Sequence, residues 1–208
     1  MSYEFITSYN ANSYMSGRNG CSIDKIIIHH WGIEGQTFEG VCAWFKNAAC
    51  STSAHAVIEE GRVACLVAYD DTAYHAGDWN ANLTSIGLEC RPEMSDGDLE
   101  TVCEYIADLW KLYGVLPLYG HKDFSSTVCP GKYYDKLQWM YDRAMWYYNG
   151  CVDEPSTDEP EADVNEPSAW AKADLERAIA AGITTGERPR DYATREEVAI
   201  MLLRAMGK

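Results

Sequence analysis

Basic residues are scarce in this chain. Seventeen Lys and Arg stand against 32 Asp and Glu in 208 residues, a formal net charge of −15. That balance argues against nucleic acid or an anionic lipid surface as a partner bound through charge. Long hydrophobic runs are missing as well: none reaches the roughly 18 apolar residues that a membrane span needs. The opening stretch, MSYEFITSYN, lacks a basic segment followed by an apolar core, so it does not read as an export signal. Synthesis in the cytoplasm is therefore expected. Cysteine is plentiful but its paired motif is absent. None of the eight cysteines, at 21, 42, 50, 65, 90, 103, 129 and 151, forms a C-x-x-C pair, which argues against a zinc ribbon or a thioredoxin-like centre. Without an export signal these thiols are expected to be reduced and mostly small buried apolar groups. Only work outside a cell would favour a Cys42–Cys50 bridge.

What is present supports a packed core. Apolar residues make up 47% and aromatics 12%, which excludes wholesale disorder. The charge is uneven along the chain. Residues 1–150 carry 10 basic and 19 acidic side chains, residues 151–167 none and 7, and residues 168–208 7 and 6. The middle stretch, CVDEPSTDEPEADVNEP, also holds Pro155, Pro160 and Pro167. Proline and like-charge repulsion favour an extended linker. Two modules are expected, 1–150 and 168–208, joined by 151–167.

In the first module, the run Lys25–His30 predicts a buried strand. Thr37 is placed to cap a helix over Phe38–Lys46, with Val41, Trp44 and Phe45 as its apolar stripe. Ala54–Glu59 and Arg62–Ala68 predict strands joined at Glu60-Gly61, and Ser85–Cys90 predicts another strand. Ser95 and Asp98 resemble a capping box. The helix behind them steps through Leu99, Val102, Cys103, Ile106, Leu109, Trp110 and Tyr113 and stops at Gly114. Leu116–Tyr119 predicts a short strand running into His121, and Asp135–Tyr148 a last helix. The expected fold class is α/β, a mixed central β-sheet flanked by helices, plus a small all-α C-terminal module. That module reads as two helices, Ala169–Ala181 ending at Gly182 and Thr194–Met206 opening on the capping box Thr194-Arg-Glu-Glu197.

There are five histidines, at 29, 30, 55, 75 and 121. His29 closes the Ile-rich strand, His121 follows Leu-Tyr-Gly, and Cys129 comes eight residues later. Two imidazoles and a thiolate are good zinc ligands, and three protein ligands leave a fourth position for water. On composition alone, buried histidines and a core cysteine explain the same residues.

Six short motifs then occur in one order: Ile26-Ile-Ile-His-His30, Ser53-Ala-His-Ala-Val57, Ala73-Tyr-His-Ala-Gly-Asp-Trp-Asn80, Ser85-Ile-Gly-Leu-Glu89, Gly120-His-Lys-Asp123 and Cys129-Pro-Gly131. Together they closely resemble the zinc N-acetylmuramoyl-L-alanine amidases of the phage lysozyme and peptidoglycan-recognition type, over roughly residues 20–145. The resemblance implies Zn²⁺ held by His29, His121 and Cys129. His30 is the neighbouring alternative, but a regular strand turns adjacent side chains to opposite faces. Glu89 matches the general base of many phage amidases, and flanking Leu88 and Cys90 favour burial that would raise its pKa. Some relatives carry Tyr where this chain has Ala54, and Lys where it has Thr127. The Thr127 hydroxyl remains as a donor to an oxyanion. His75, Trp79 and Asn80 lie in a loop that borders the groove in the family, and are read as substrate-binding; a loop packed by Tyr74 and Trp79 is the plainer account. Glu34, Trp44 and Phe45 are further groove candidates.

The second module resembles an S-layer homology repeat in Trp170-Ala-Lys172, Ala181-Gly-Ile-Thr-Thr-Gly186 and Thr194-Arg-Glu-Glu197. That implies binding of cell-wall polysaccharide, or self-association into a homo-oligomer. The combined implication is a phage endolysin that cuts peptidoglycan between N-acetylmuramic acid and L-alanine. It would wait in the host cytoplasm until lysis and then act on the wall. No nucleic-acid or membrane partner is expected.

Overall fold

The computed structural model describes residues 2–151 and 172–183. Its strands are β1 Glu4–Ile6, β2 Tyr14–Met15, β3 Lys25–His30, β4 Ala56–Glu59, β5 Arg62–Cys65, β6 Thr72–Ala73, β7 Ser85–Cys90 and β8 Leu118–Gly120. Its helices are α1 Phe38–Lys46, α2 Trp79–Thr84, α3 Asp96–Tyr113, α4 Leu137–Tyr148 and α5 Lys172–Ala180. The chain divides into two compact units, Met1–Val152 and Asp153–Lys208.

Six strands form one sheet in the order β1-β5-β4-β7-β3-β8. Every neighbouring pair is parallel except the β4–β5 hairpin. A parallel sheet must be covered on both faces, and this one is. On one face, Ile26 and Ile28 of β3, Ile86 and Leu88 of β7 and Ile58 of β4 pack with Val102, Ile106 and Trp110 of α3 and Met140 and Ala144 of α4. On the other, Val57 and Ala64 pack with Phe38, Val41, Cys42 and Phe45 of α1, while Ile27 meets Ala76 and Ala81. Each fully buried Ile is worth about 1.5–3 kcal/mol. The alternation of β3 puts His29 on the same face as Ile27, and the register stands it beside Glu89 of β7.

The central expectations hold. β3, β7 and α1 have the bounds read from the pattern, and Thr37 accepts from the Gly40 amide. The mixed sheet flanked by helices is present. Several details differ. Trp44 is 55% exposed and leaves the α1 stripe to Val41 and Phe45. β5 ends at Cys65, because the next amides, Leu66 and Val67, turn to the His55 carbonyl. The last helix begins at Leu137, after a 3-10 stretch over Gly131–Lys136. The stretch from Trp79 is a helix, α2, capped by Asp78, whose carboxylate accepts from the Ala81 amide at 2.7 Å. In the second unit α5 ends before Gly182, whose φ is +71°. The linker 152–167, Trp170 and the helix Thr194–Met206 lie outside the described residues. Among the described residues all eight cysteines are free, and no helix is long and apolar enough to cross a membrane.

The capping box is a pillar of this fold. Asp98 is 0% exposed. One carboxylate oxygen accepts from the Glu60 amide in the β4–β5 turn and the other from the Ser95 amide, each at 2.8 Å. One side chain therefore joins the start of α3 to the hairpin. Asp98→Ala is expected to destabilise the protein by about 3 kcal/mol, through the lost cap and two orphaned amides. Urea unfolding should show a lower midpoint with an unchanged slope, and Asp98→Asn, which keeps one acceptor, should fall between.

Candidate functional site

Three chain segments converge at the C-terminal end of β3. His29 is the penultimate residue of that strand, 2% exposed. β8 leads through Gly120 into a 3-10 turn, His121–Asp123. Asp123 holds the turn: Oδ2 accepts from the Gly120 amide at 2.8 Å and Oδ1 from the Tyr134 hydroxyl at 2.7 Å. A Cβ on residue 120 would sit 2.6 Å from the Tyr134 ring and 2.9 Å from Pro130, so only glycine lets these segments meet. The loop carrying Cys129 is tied down by the His30 amide, which donates to Cys129 Sγ at 3.4 Å, and by the Lys122 amide, which donates to the Cys129 carbonyl at 3.0 Å.

His29, His121 and Cys129 thereby offer ligand atoms that all lie within 4.8 Å of one another. His29 Nδ1 is 3.7 Å from Cys129 Sγ, and the two imidazole centroids are 4.4 Å apart. The His121 Nε2 is buried without a hydrogen-bond partner. An orphaned lone pair of this kind costs about 1–3 kcal/mol unless something occupies it. Two nitrogens and a sulfur around one point, one of them unsatisfied, fit a divalent transition-metal ion.

The electrostatics agree. All five histidines are pushed below their usual pKa, burial being the largest cause in each. They are neutral at pH 7 and keep a lone pair to give. Burial, then the nearby Glu89, pushes the Cys129 thiol up to about 12. Such a thiol is a poor nucleophile and yields its proton only to a bound cation. His30, the alternative to His29, is outside this group; its Nδ1 accepts from the Gly32 amide at 3.2 Å. His55 is fully buried beneath the site. Its Nδ1 accepts from the Gly87 amide at 3.0 Å, and burial with the adjacent Arg18 guanidinium lowers its pKa to about 3.

Glu89 opens on the same groove. Its Oε2 is buried with no partner, and burial alone pushes the carboxyl up to about 7. Thr127 accepts from the Cys129 amide at 3.2 Å, which leaves its own proton free to donate. The groove has a volume of about 760 Å³, and Trp31, Val41, Trp44, Phe45 and Tyr74 form its apolar wall. Exposed Trp44 is thus explained: it faces the groove rather than the core. Glu34 sits outside this lining and pairs with Lys132 at 2.6 Å.

The 75–80 loop is divided between the groove and its outside, and His75 is among the groove's lining residues. His75 is 7% exposed and both ring nitrogens are taken, Nδ1 by His29 at 2.9 Å and Nε2 by Ser85 Oγ at 3.1 Å. It has no nitrogen left for a sugar hydroxyl. Trp79 and Asn80 are exposed at the start of α2 and do not line the groove, although the Trp79 ring lies tilted 6.0 Å from that of Tyr74, which does. Sequence reasoning missed Arg18, which is buried and donates to the carbonyls of Tyr69, Leu83 and Ser85, and missed the Ser85 contact. No local pattern marks either, because both depend on contacts between distant segments.

Comparisons with known proteins identify the family. The family model described as N-acetylmuramoyl-L-alanine amidase matches residues 19–132. The N-acetylmuramoyl-L-alanine amidase BlyA of Bacillus subtilis (strain 168) is 24% identical over 146 residues, covering 58% of this chain and 40% of that protein. The amidase CwlL of Bacillus licheniformis is 30% identical over 132 residues, covering 52% and 36%. The chain thus spans about two fifths of these relatives. Among solved structures, the catalytic domain of XlyA superposes with a TM-score of 0.58 at 20% identity, over 68% of this chain and 99% of that one. The Staphylococcus aureus hydrolase AmiA, solved with its ligand, gives 0.58 at 17% identity over 71% and 84%. These structures share the fold. The matched segment carries the sheet centre and all three convergent residues, and on that match the chain belongs to the N-acetylmuramoyl-L-alanine amidase family.

Proposed function

We propose that this chain is a zinc-dependent N-acetylmuramoyl-L-alanine amidase that hydrolyses the amide between the lactyl group of N-acetylmuramic acid and L-alanine in peptidoglycan. The observation that carries the reading is the convergence of His29, His121 and Cys129 in one groove with the unpartnered Glu89 carboxyl. The three residues would hold the ion. Bound zinc supplies Lewis acidity, which acidifies water and polarises a carbonyl oxygen.

The remaining work falls to side chains. Glu89 takes a proton from the attacking water and delivers it to the leaving amine, a role suited to a carboxyl near 7. Thr127 Oγ1 donates to the oxygen that becomes negative as the amide carbon turns tetrahedral. The glycan and stem peptide lie along the wall of Trp44, Phe45 and Tyr74, and Trp79 extends that wall outward. Residues 1–150 form the catalytic domain, 151–167 an acidic linker, and 168–208 a wall-binding or self-associating helical module. An endolysin of phage origin, kept in the host cytoplasm until lysis, fits this organisation.

Digestion of purified peptidoglycan tests the reading. Mass spectrometry should find stem peptides with a new L-alanine amino terminus and intact glycan chains. Cleavage within the peptides, or no new amine at all, would overturn it.

A further inference from the structure

His75 is a buried imidazole with no place in the mechanism above, and its surroundings are built for it. Gly87 lies beneath the ring, where a Cβ would come within 2.5 Å of Cγ and Nδ1. Asn82 Oδ1 accepts from the backbone amides of His75 and Ala76, at 3.0 and 2.8 Å, and so fixes the segment that carries the ring.

The hydrogen bonds through this ring can run in one direction. The Ala81 carbonyl only accepts, so the Ser85 hydroxyl, 2.5 Å away, points its single proton there. Ser85 Oγ must then accept from His75 Nε2 at 3.1 Å. A neutral imidazole carries one proton, so His75 Nδ1 is an acceptor. It faces His29 Nε2 at 2.9 Å, which must hold the His29 proton. His29 Nδ1 is left bare, on the side where Cys129 Sγ lies 3.7 Å away. His121 likewise has an open ring nitrogen, its Nε2 being buried with no hydrogen-bond partner.

We infer that His75, oriented by Ser85, is a positioning residue that locks His29 in the Nε2–H tautomer, so that Nδ1 is presented to the metal. The inference rests on the metal-centre reading. The chain from Ala81 to His29 crosses three side chains and ends on a carbonyl, so the direction cannot reverse without breaking a bond. Partners of this kind typically affect metal affinity by about 10- to 100-fold.

The test compares full-length protein with His75→Ala, His75→Asn and Ser85→Ala, using two readouts. Long-range ¹⁵N–¹H spectra of the metal-free proteins report which His29 nitrogen is protonated. Competition with a chromogenic chelator reports zinc affinity. Wild type should show one His29 tautomer, protonated at Nε2. His75→Ala should show a mixture and bind zinc about 10- to 100-fold more weakly. His75→Asn, whose Oδ1 takes the place of Nδ1, should restore the single tautomer and most of the affinity. Should His75→Ala fail to fold, Ser85→Ala decides: releasing His75 to rotate should mix the His29 tautomers. A wild-type His29 protonated at Nδ1 would overturn the inference, as would variants that leave its tautomer and zinc affinity unchanged. Equal loss in the Ala and Asn variants with an unchanged tautomer would also overturn it, in favour of simple packing. Wild type that binds no zinc would remove the metal reading, while the tautomer spectra would still decide the direction of the chain.

Discussion

Glu89→Gln is expected to reduce peptidoglycan hydrolysis by about a thousandfold, the scale of a lost general base, while making the metal-free protein more stable at pH 8. Both effects come from one feature, a buried carboxyl whose Oε2 has no partner. Burial raises its pKa in the folded protein to about 7, from an ordinary value of 4.5. The folded state therefore binds this proton more tightly than the unfolded state. The stability it contributes is fully present below pH 4.5 and is lost as the pH rises through 7. At pH 8 the ionised carboxylate weakens the metal-free fold by about 2–3 kcal/mol, and the neutral amide removes that penalty. Urea unfolding of chelator-treated wild type and Glu89→Gln at pH 5 and pH 8 measures it. The two curves should converge at low pH and separate at high pH. Activity should rise with pH along an acid limb at or below 7, since a nearby cation favours the ionised form. Equal stability at pH 8 would show that the carboxyl is solvated, and a variant retaining full activity would remove Glu89 from the chemistry.

Stripping the metal should abolish hydrolysis, and alkylating thiols should not. A strong chelator is expected to lower activity by at least about a thousandfold, the loss expected when the Lewis acid goes, and zinc should restore it. Cys129→Ser should bind zinc far more weakly, because a hydroxyl does not ionise as a thiol does. In the zinc-loaded protein, iodoacetamide should modify exposed Cys151 first and leave hydrolysis intact. Cys129 is buried, with a thiol pushed up to about 12. A hydrolase using Cys129 as nucleophile would give the opposite pair of results, surviving the chelator and dying with the alkylator.

The parts legible in the sequence are those where one local pattern decides the outcome. Three isoleucines before two histidines can only be a buried strand here, and Ser95 with Asp98 opens α3 as its spacing requires. Trp44 fits the groove reading and not the core stripe, because a helix side facing a groove has the same apolar period as one facing a core. A three-residue edge strand such as β1, and a six-residue helix such as α2, are too short to leave a period. The site divides in the same way. His29, His121 and Cys129 are far apart in the chain, so composition gave no reason to bring them together; the ordered motifs did. His75 was placed near the groove by its loop, but its partners are 46 and 10 residues away. Which nitrogen meets which group is a property of the folded sheet, where Gly87 opens the space beneath the ring and β7 brings Ser85 to its Nε2.

Zinc titration of the metal-free enzyme, with amine release from peptidoglycan followed at each addition, tests the central claim most directly. Activity should be absent at the start, climb in proportion to added zinc and stop climbing at one ion per chain, while His29→Ala or Cys129→Ser titrated in parallel stays flat. Full hydrolysis by the metal-free protein, or activity in both variants equal to wild type, would contradict a catalytic centre built on His29, His121 and Cys129.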